Sequence, residues 1–404
     1  MLLPMSDIGA ALAAGETVPC AVQPLDLARS AWRTGAPVFY FAGKEEAVGL
    51  GVAWRSDDLA APLPADGRLF FAFPFDRSEE SGSVVQPAVT LVKGAGGTRL
   101  RVAQGQGKDA VLALLGRLER PGEPVAPVGK VTARDPEPDV WARTLEEARV
   151  AIQAGSLTKV VLARSVTLAM EDVQPFDVVA LLRERFPDAF TFGWAEHGRA
   201  FVGASPELLV ERRGDTIRSF PLAGSARSGS DAVEDEMVAR TLLESEKDRR
   251  EHQVVVDEIA RLLRPLTSEL SVPSEPTVMR LVNIQHLGTE IRGRLAEPVG
   301  VIPLALELHP TPAVCGFPTA AALSFIRSTE TFGRGWYAGG VGWTDASGDG
   351  EVAVALRCAL LEDRRTRVYA GAGIVRGSDP ASELAETEAK LRAMLDILEA
   401  NPFS

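Results

Sequence analysis

Cysteine is scarce in this chain of 404 residues, which has only three, Cys20, Cys315 and Cys358. They lie far apart, and none belongs to a C-x-x-C pair. A disulfide framework or a structural zinc site would need a paired set of closely spaced cysteines. We therefore expect neither, and a reducing compartment, the cytoplasm, fits best.

Positive charge is also in short supply, because the formal net charge is -12. Nucleic acids and anionic membrane surfaces would be repelled by such a chain, so we expect neither as a partner. An acidic small-molecule substrate would be repelled at long range as well. Its binding site would need locally concentrated positive charge or a metal ion.

Long apolar runs are missing too. The longest uncharged stretch, Leu308 to Ile326, contains three prolines, which argues against a membrane helix. The N-terminal segment MLLPMSDIGAALAAGE lacks a basic region and reaches Asp7 early, unlike a secretory signal peptide. With 46% hydrophobic and 24% charged residues, the composition is that of a globular chain able to bury a large core.

The predicted elements alternate without regular strand-helix-strand repeats. Residues 119–139, rich in proline, predict either a domain linker or a loop that crosses one large domain. Short apolar runs before this stretch, such as APVFYFAG and RLFFAFPF, predict antiparallel strands. After it we expect a strand KVVLARSVTL, an acidic helix over about 233–264, a strand EVAVALRCALLE and a closing helix over about 381–400. This mixture predicts an α+β, or mixed α/β, fold with antiparallel-rich sheets flanked by helices.

Acidic pairs stand at helical spacing on two of these helices. Glu383, Glu386 and Lys390, at i, i+3 and i+7, share one face of the closing helix, and Asp248 and Glu251 share a face of the acidic helix. Such patterns are most often solvated surfaces with weak ion pairs. The alternative is one metal site between two helices, with the lysine binding an anion beside it.

Three further charged residues interrupt apolar segments. Lys159 shares a strand face with Val161 and Ala163; most such lysines reach solvent, whereas a buried one could act as a base. Glu207 is flanked by small and apolar residues, where a carboxyl group can stay protonated and donate. Arg357, in VAVALRCALL, is a lone charge, and a buried arginine usually has an anionic partner.

The segment GAGIVRG, residues 371–377, follows a predicted strand as a dinucleotide-binding loop would. Its glycines are spaced G-x-G-x-x-x-G and no second βαβ unit follows, which argues against a Rossmann site. We expect Gly371 and Gly373 instead to allow close backbone approach to a ligand or a tight turn into the last helix.

The chain resembles the chorismate-binding enzymes, and specifically the isochorismate synthases. The matching segments follow the family's order over about Lys159 to Leu395: KVVLAR, FVGASPELLV, PLAGSARSG, SEKDRREH, QHLGTEI, LHPTPAVCGFPT, GWYAGGVGW, VALRCALL and YAGAGIVRGSDPASELAETEAKL. The resemblance implies one chorismate-binding domain over residues 1–404, with a variable N-terminal part at 1–120 and catalytic core segments at 139–400. It also implies Mg2+-dependent isomerisation of chorismate to isochorismate, by water addition at C2 and loss of the C4 hydroxyl.

The resemblance implies a role for each matching residue. Lys159 matches the base and Glu207 the acid, and we expect the two to flank the substrate ring without touching. The positions that match metal-binding residues are Glu251 and Glu386, supported by Asp248 and Glu383. The positions that match substrate-binding residues are Arg357 and Lys390 for the carboxylates, the backbone around Gly224, Ser225, Ala372 and Gly373, and His286, Ala313, Val314 and Tyr337 around the ring.

Position 159 separates branches of the family. Ammonia-using relatives carry glutamine there, so Lys159 implies water as the nucleophile and no glutaminase subunit. The segment HPTPAVCGFP is similar to that of isochorismate synthases of the 2,3-dihydroxybenzoate siderophore branch, although menaquinone synthesis begins with the same reaction. Two alternatives remain: a salicylate synthase, which goes on to eliminate pyruvate, and an inactive or regulatory chorismate-binding subunit. No exposed heptad pattern suggests assembly, so we expect a monomer.

Overall fold

The computed structural model describes residues 18–116 and 118–399. The N-terminal segment on which the signal-peptide argument rests lies outside them, as does residue 400 at the end of the expected closing helix. The helices of the described residues are α1 (Pro24–Trp32), α2 (Lys108–Leu115), α3 (Pro138–Gln153), α4 (Pro175–Arg185), α5 (Ala232–Glu244), α6 (Glu246–Leu263, followed by a 3-10 turn at Arg264–Leu266), α7 (Val301–Leu308), α8 (Thr319–Thr329) and α9 (Pro380–Leu398).

The strands account for most of the remaining regular structure. In chain order they are β1 (Val18–Pro19), β2 (Val38–Ala42), β3 (Glu46–Leu50), β4 (Trp54–Ser56), β5 (Arg68–Phe73), β6 (Ser83–Gln86), β7 (Val89–Gly94), β8 (Gly97–Val102), β9 (Lys130–Asp135), β10 (Lys159–Ala169), β11 (Phe190–Glu196), β12 (Arg199–Ser205), β13 (Leu208–Arg213), β14 (Thr216–Phe220), β15 (Leu222–Arg227), β16 (Thr267–Ser271), β17 (Thr277–Arg280), β18 (Ile284–Gly288), β19 (Ile291–Leu295), β20 (Gly316–Phe317), β21 (Gly340–Asp345), β22 (Gly350–Val354), β23 (Cys358–Glu362) and β24 (Arg365–Ile374).

These strands form three antiparallel sheets. The first has 12 strands in the order β1-β8-β7-β3-β2-β11-β12-β23-β24-β10-β20, with β9 also paired to β10. The second has 9 strands in the order β16-β19-β14-β13-β22-β21-β5-β6-β4, and the third consists of β15, β18 and β17. The predicted mixed α/β fold with antiparallel-rich sheets and flanking helices is thus confirmed.

Successive residues of the central strands serve two different cores, as strand alternation requires. In β2, Phe39 and Phe41 pack into a core that also contains Trp343 of the second sheet. Their neighbour Tyr40 packs into the other core, with Leu27 of α1 and helices α4 and α9. Each such fully buried side chain contributes roughly 1.5–3 kcal/mol. The first sheet is therefore sandwiched between the second sheet and a layer of helices.

The N-terminal strands are built into both large sheets. β2 pairs with β11 in the first sheet, and β5 pairs with β21 in the second. The proline-rich stretch 119–139 contains a strand, β9, which pairs with β10. Part of this stretch is thus a structured strand of the first sheet.

Two predicted elements are wrong in their extent. The acidic helix is two helices, because Ser245 ends α5 and its side chain caps α6 by accepting a hydrogen bond from the backbone N–H of Asp248. The segment EVAVALRCALLE is two strands in different sheets, β22 and β23, so that Arg357 lies between strands rather than within one. Within the described ranges, no helix is long and apolar enough to cross a membrane.

Candidate active site

Two of the charged residues lie where the chain passes from one large sheet to the other. Glu207 follows β12 of the first sheet and precedes β13 of the second, and Arg357 joins β22 of the second to β23 of the first. Arg357 has a φ of 47°, a left-handed conformation that is uncommon outside glycine and that tends to occur at functional sites. Both side chains border the same cavity.

This cavity has an empty volume of about 660 Å3, a size typical of small-molecule sites. Strands of the first and third sheets, helices α6 and α9, and the segments just before β13 and just after β22 contribute to its walls. The residues singled out in the sequence that line it are Glu207, Gly224, Ser225, Glu251, His286, Ala313, Val314, Tyr337, Arg357, Gly371, Gly373 and Lys390.

A hydrogen-bonded chain crosses one wall of the cavity. Arg357 Nη2 lies 2.9 Å from His286 Nε2, and His286 Nδ1 lies 3.0 Å from Ser225 Oγ. A guanidinium can only donate, so Nε2 must accept and the ring hydrogen is on Nδ1. Burial, and then the charge of Arg357, lower the pKa of His286 well below its usual value. His286 is thus neutral and fixes the orientation of both neighbours.

Glu207 is a protonated acid at neutral pH. It is 3% exposed, and burial raises the pKa of its carboxyl group to about 8, against weaker opposing effects of a backbone hydrogen bond and of nearby positive charges. Among the described side chains Glu207 has no ion-pair partner, since the ammonium of Lys159 pairs with Glu251 instead. A neutral carboxyl group beside a cavity can donate a proton to a bound molecule.

Lys159 is buried at the first position of β10, with no exposed surface. Its Nζ lies 3.0 Å from Glu251 Oε1, yet no acceptor meets hydrogen-bond geometry with it among the described residues. The contact is an ion pair, and the ammonium, which carries three N–H groups, keeps donor capacity for a further partner. Although burial opposes it, the charge of Lys159 lowers the pKa of Glu251.

The remaining acidic residues lie in a second, wider cleft that adjoins the cavity at Ser225. Its walls include Asp248, Glu383 and Glu386, from α6 and α9. We call these three residues and Glu251 the carboxylate cluster. Lys247 Nζ lies 2.8 Å from Glu383 Oε1, and Lys390 Nζ lies 2.6 Å from Glu386 Oε1. Ammonium groups thus balance part of the cluster's negative charge.

The chemistry of the carboxylate cluster suits Mg2+, which prefers carboxylate oxygens. Burial, and then the charges of Glu251 and Glu386, raise the pKa of Asp248, and burial and then Glu386 raise that of Glu383. This mutual repulsion is what a divalent cation would relieve. As the side chains stand in residues 18–116 and 118–399, no three acidic, histidine or cysteine residues converge on one point. The donor set fits Mg2+, and the lysine partners would have to yield to it.

A model of the family described as chorismate binding enzyme matches residues 106–399 of the chain. The chain belongs to this family. Its matched region begins before the proline-rich stretch and ends after α9, so it includes every residue of the cavity and of the carboxylate cluster.

This chorismate-binding enzyme is similar in sequence to several isochorismate synthases. It is 44% identical over 260 residues to the salicylate biosynthesis isochorismate synthase of Pseudomonas aeruginosa. This match covers 64% of this chain and 55% of that protein. It is 44% identical over 269 residues to isochorismate synthase DhbC of Bacillus subtilis, covering 64% of this chain and 68% of that one. The match thus spans little more than half of the Pseudomonas protein.

A solved structure matches over a greater length. MenF, the menaquinone-specific isochorismate synthase from Escherichia coli, has a TM-score of 0.86 and 30% sequence identity to this chorismate-binding enzyme. The match covers 96% of this chain and 99% of that one. The N-terminal strands, for which the sequence segments offered no resemblance, therefore share the family's architecture.

Ala372 was singled out for its backbone, which lies between two residues that line the cavity, Gly371 and Gly373. Its side chain is fully buried in the hydrophobic core, and Ala372 pairs with Leu162 of β10. Strand alternation sends the side chains of neighbouring residues to opposite faces. The same alternation places Tyr369 on the cavity side, a residue that the sequence interpretation missed.

Other cavity residues were missed because no local pattern marks them. Pro206 and Leu356 precede Glu207 and Arg357 at the two sheet crossings, and Val161 follows Lys159 on the same strand face. Lys247 carries a signal that could have been used, because it directly precedes Asp248 within the acidic segment. Its partner Glu383 is 136 residues away, however, and only the fold brings the two together.

Proposed function

We propose that the protein is an isochorismate synthase, an isomerase of the hydroxymutase type that converts chorismate to isochorismate. The observation that carries the proposal is that a candidate base and a candidate acid lie at one cavity. A buried ammonium, Lys159, contacts Glu251 of the cavity wall, and a neutral carboxyl group, Glu207, lies elsewhere in that wall. The names of the relatives support the same activity.

Two proton transfers complete the reaction. Lys159, once it has released its own proton, takes one from the water molecule that attacks ring C2. Glu207 donates its proton to the hydroxyl group that leaves C4, and the ring double bonds shift between the two positions. One water molecule is added and one is lost, so substrate and product are isomers. Positioned acids and bases of this kind typically accelerate a reaction by roughly 100-fold to 10000-fold each.

The substrate is a dianion, and this acidic protein holds it with local positive charge. Arg357, fixed by His286, is placed to bind the enolpyruvyl carboxylate, and Lys390 lies at the junction of the cavity and the carboxylate cluster. Glu251 and Glu386, with Asp248 and Glu383 supporting them, would hold Mg2+. When bound, this ion would supply positive charge to neutralise the ring carboxylate.

Product analysis tests the proposal. Purified protein incubated with chorismate and Mg2+ should yield isochorismate, separated and identified by chromatography. Salicylate plus pyruvate as the main products would favour the salicylate synthase alternative. An amine-bearing product formed on addition of ammonium would indicate an ammonia-dependent enzyme with a glutaminase partner, and absence of any turnover would favour a regulatory binding subunit.

The proposal extends to the cellular setting. The enzyme acts in the cytoplasm, as a monomer and without a glutaminase subunit, and its product feeds 2,3-dihydroxybenzoate for siderophore synthesis. The relatives include siderophore enzymes, such as the vibriobactin-specific isochorismate synthase of Vibrio cholerae, and menaquinone enzymes. Deletion of the gene should therefore abolish catecholate siderophore secretion. A menaquinone requirement with normal siderophore secretion would contradict this branch.

A further inference from the structure

A third cavity lies beside the cavity of the proposed active site, which we call the active cavity. It is at the edge of the space between the two large sheets. It has an empty volume of about 1030 Å3. We call it the tryptophan cleft, and its defining residues are Trp194, Phe201, Trp336, Leu360 and Arg367. None of them has a part in the reaction proposed above.

Strand register sets four of these residues in one row across the first sheet. Trp194 of β11 pairs with Phe201 of β12, Phe201 with Leu360 of β23, and Leu360 with Arg367 of β24. Paired residues point to the same face, so the row presents two aromatic rings, an alkyl side chain and a guanidinium side by side. The strands of Phe201 and Arg367 are two steps, or about 10 Å, apart.

Aromatic edges and faces enclose the apolar end of the row. Trp336 meets Trp194 edge to face at a centroid distance of 5.3 Å, and meets Phe201 in the same way at 5.9 Å. Trp194 and Phe201 are themselves only 5% and 4% exposed, so the apolar end of the row is held rigidly by the core.

Most charges around the tryptophan cleft already have partners. Glu196 is paired with Arg55 at 2.6 Å, and Arg199 with Glu362 at 2.5 Å. Arg334, in the same wall, is paired with Glu330.

Two charged groups of the cleft are not paired in this way. Arg367 is exposed and has no ion-pair partner among the described residues, and its charge opposes the rise that burial causes in the pKa of Tyr369. Glu80 stands at the mouth, and burial raises the pKa of its carboxyl group. A guanidinium without a counter-ion at the end of an aromatic row is suited to a carboxylate.

The tryptophan cleft shares a wall with the active cavity. Tyr337 and Tyr369 line both, and their rings stack at a centroid distance of 5.0 Å with an angle of 7° between the planes. A molecule in the cleft would therefore contact the same two rings that bound the active cavity.

We propose that the tryptophan cleft binds a small aromatic carboxylate. The ring lies against Phe201 and Leu360, and the carboxylate pairs with Arg367. Binding at this site does not require turnover, so the test can fail or succeed independently of the proposed isochorismate synthase activity.

Benzoate is the probe, titrated into the purified full chain by calorimetry. Cyclohexanecarboxylate, which has the same charge without the aromatic ring, is the matched control ligand. Benzoate should bind saturably and at least about threefold more tightly than the control, because only its ring can stack. The proposal is overturned if neither ligand binds saturably, if the two bind equally, or if phenylalanine, a zwitterion, binds more tightly than benzoate.

Variants decide which cavity holds the benzoate. Arg367→Met should weaken binding at least about tenfold, the effect expected for loss of a charge-assisted hydrogen bond. Leu360→Trp, which fills the row, should weaken it similarly. Two control variants should bind benzoate as the unaltered protein does. Arg364→Met changes an arginine of the adjacent turn, and Arg357→Met removes the guanidinium of the active cavity. Loss of binding in Arg357→Met with retention in Arg367→Met would place benzoate in the active cavity and overturn the proposal. Circular dichroism checks that each variant is folded.

Discussion

Glu207 and Arg357 are joined through the backbone at the two crossings between the large sheets. The N–H of Val354 donates to the carbonyl oxygen of Glu207 at 3.1 Å, and the N–H of Ala204 donates to that of Arg357 at 3.1 Å. The strands on either side are paired as well, β12 with β23 and β13 with β22. The proposed proton donor and the guanidinium proposed to bind a carboxylate are therefore held on one rigid unit, as precise catalysis requires.

Enzyme activity should fall as pH rises above about 8. Glu207 must be protonated to act as the acid, and its pKa, raised to about 8, keeps it so at neutral pH. A profile of kcat/KM against pH in the free enzyme should show this loss on its alkaline limb. The variant Glu207→Gln cannot donate a proton and should be inactive at every pH. If kcat/KM at pH 10 is as high as at neutral pH, another group is the acid.

The same substitution should stabilise the fold in alkaline solution. The folded protein keeps its proton on Glu207 up to about pH 8, whereas the unfolded chain loses it near 4.5, so the carboxyl group lowers the free energy of unfolding progressively between these values. Glu207→Gln removes this penalty, which reaches roughly 5 kcal/mol at most. Urea unfolding at pH 5 and at pH 8.5 measures it. An advantage of the variant that does not grow with pH would contradict the raised pKa.

Lys159→Gln should abolish water addition and leave Mg2+-dependent chorismate binding largely intact. The amide is of similar length but cannot take a proton from water, so we expect a loss of about 100-fold or more. Product chromatography measures turnover, and calorimetry with chorismate measures binding. Lys44→Gln, at a lysine that pairs with Glu211 outside the cavity, is the control and should remain active. Turnover retained by Lys159→Gln would exclude Lys159 as the base.

Glu386→Ala should sharply raise the Mg2+ concentration needed for activity, or abolish activity. The substitution removes one carboxylate from the cluster and leaves Lys390 without its partner. A titration of activity against Mg2+ is the measurement. Asp396→Asn, at a carboxylate on the same helix that pairs with Arg185, provides the control. If the two variants and the unaltered protein titrate alike, Glu386 has no role in binding the metal.

Gly373→Ala should inactivate the enzyme without unfolding it. A Cβ atom at this position would lie 2.3 Å from Glu251 Oε1 and 2.9 Å from Lys159 Cε. Both neighbours are ends of flexible side chains, so they would move and the fold would remain. We expect at least a tenfold loss of kcat/KM with a melting temperature within a few degrees of the original. Gly122→Ala, where a Cβ atom meets nothing within 4 Å, is the matched control. Unaltered kinetics in Gly373→Ala would show that the close approach is unnecessary.

The fold was predictable from the sequence wherever one pattern covered a whole element. Alternation identified β10, and helical spacing identified α9. The break at Ser245 could also have been read locally, since serine followed three residues later by Asp248 is typical of a helix start. The division of EVAVALRCALLE at Arg357 could not be predicted from the local sequence. Both halves are apolar strands, and only the tertiary structure assigns them to different sheets.

The candidate site was predictable to the extent that family motifs cover it. Twelve of the cavity's lining residues had been singled out, all within the matching segments. Their roles stay predictions until variants are measured. The ion pairs could not be predicted from spacing alone, because contacts such as that between Lys159 and Glu251 join distant parts of the chain. The tryptophan cleft escaped notice for a similar reason, since its row depends on the register of four strands.

The insertion of β2 beside β11, and of β5 beside β21, makes the first third of the chain a structural partner of the catalytic region. Expression of residues 139–404 alone would leave β11 and β21 as long apolar edge strands with unpaired backbone groups. Such edges recruit other chains, so the isolated fragment would aggregate. Recombination with a relative should therefore exchange the whole chain or single loops, and never the N-terminal third by itself.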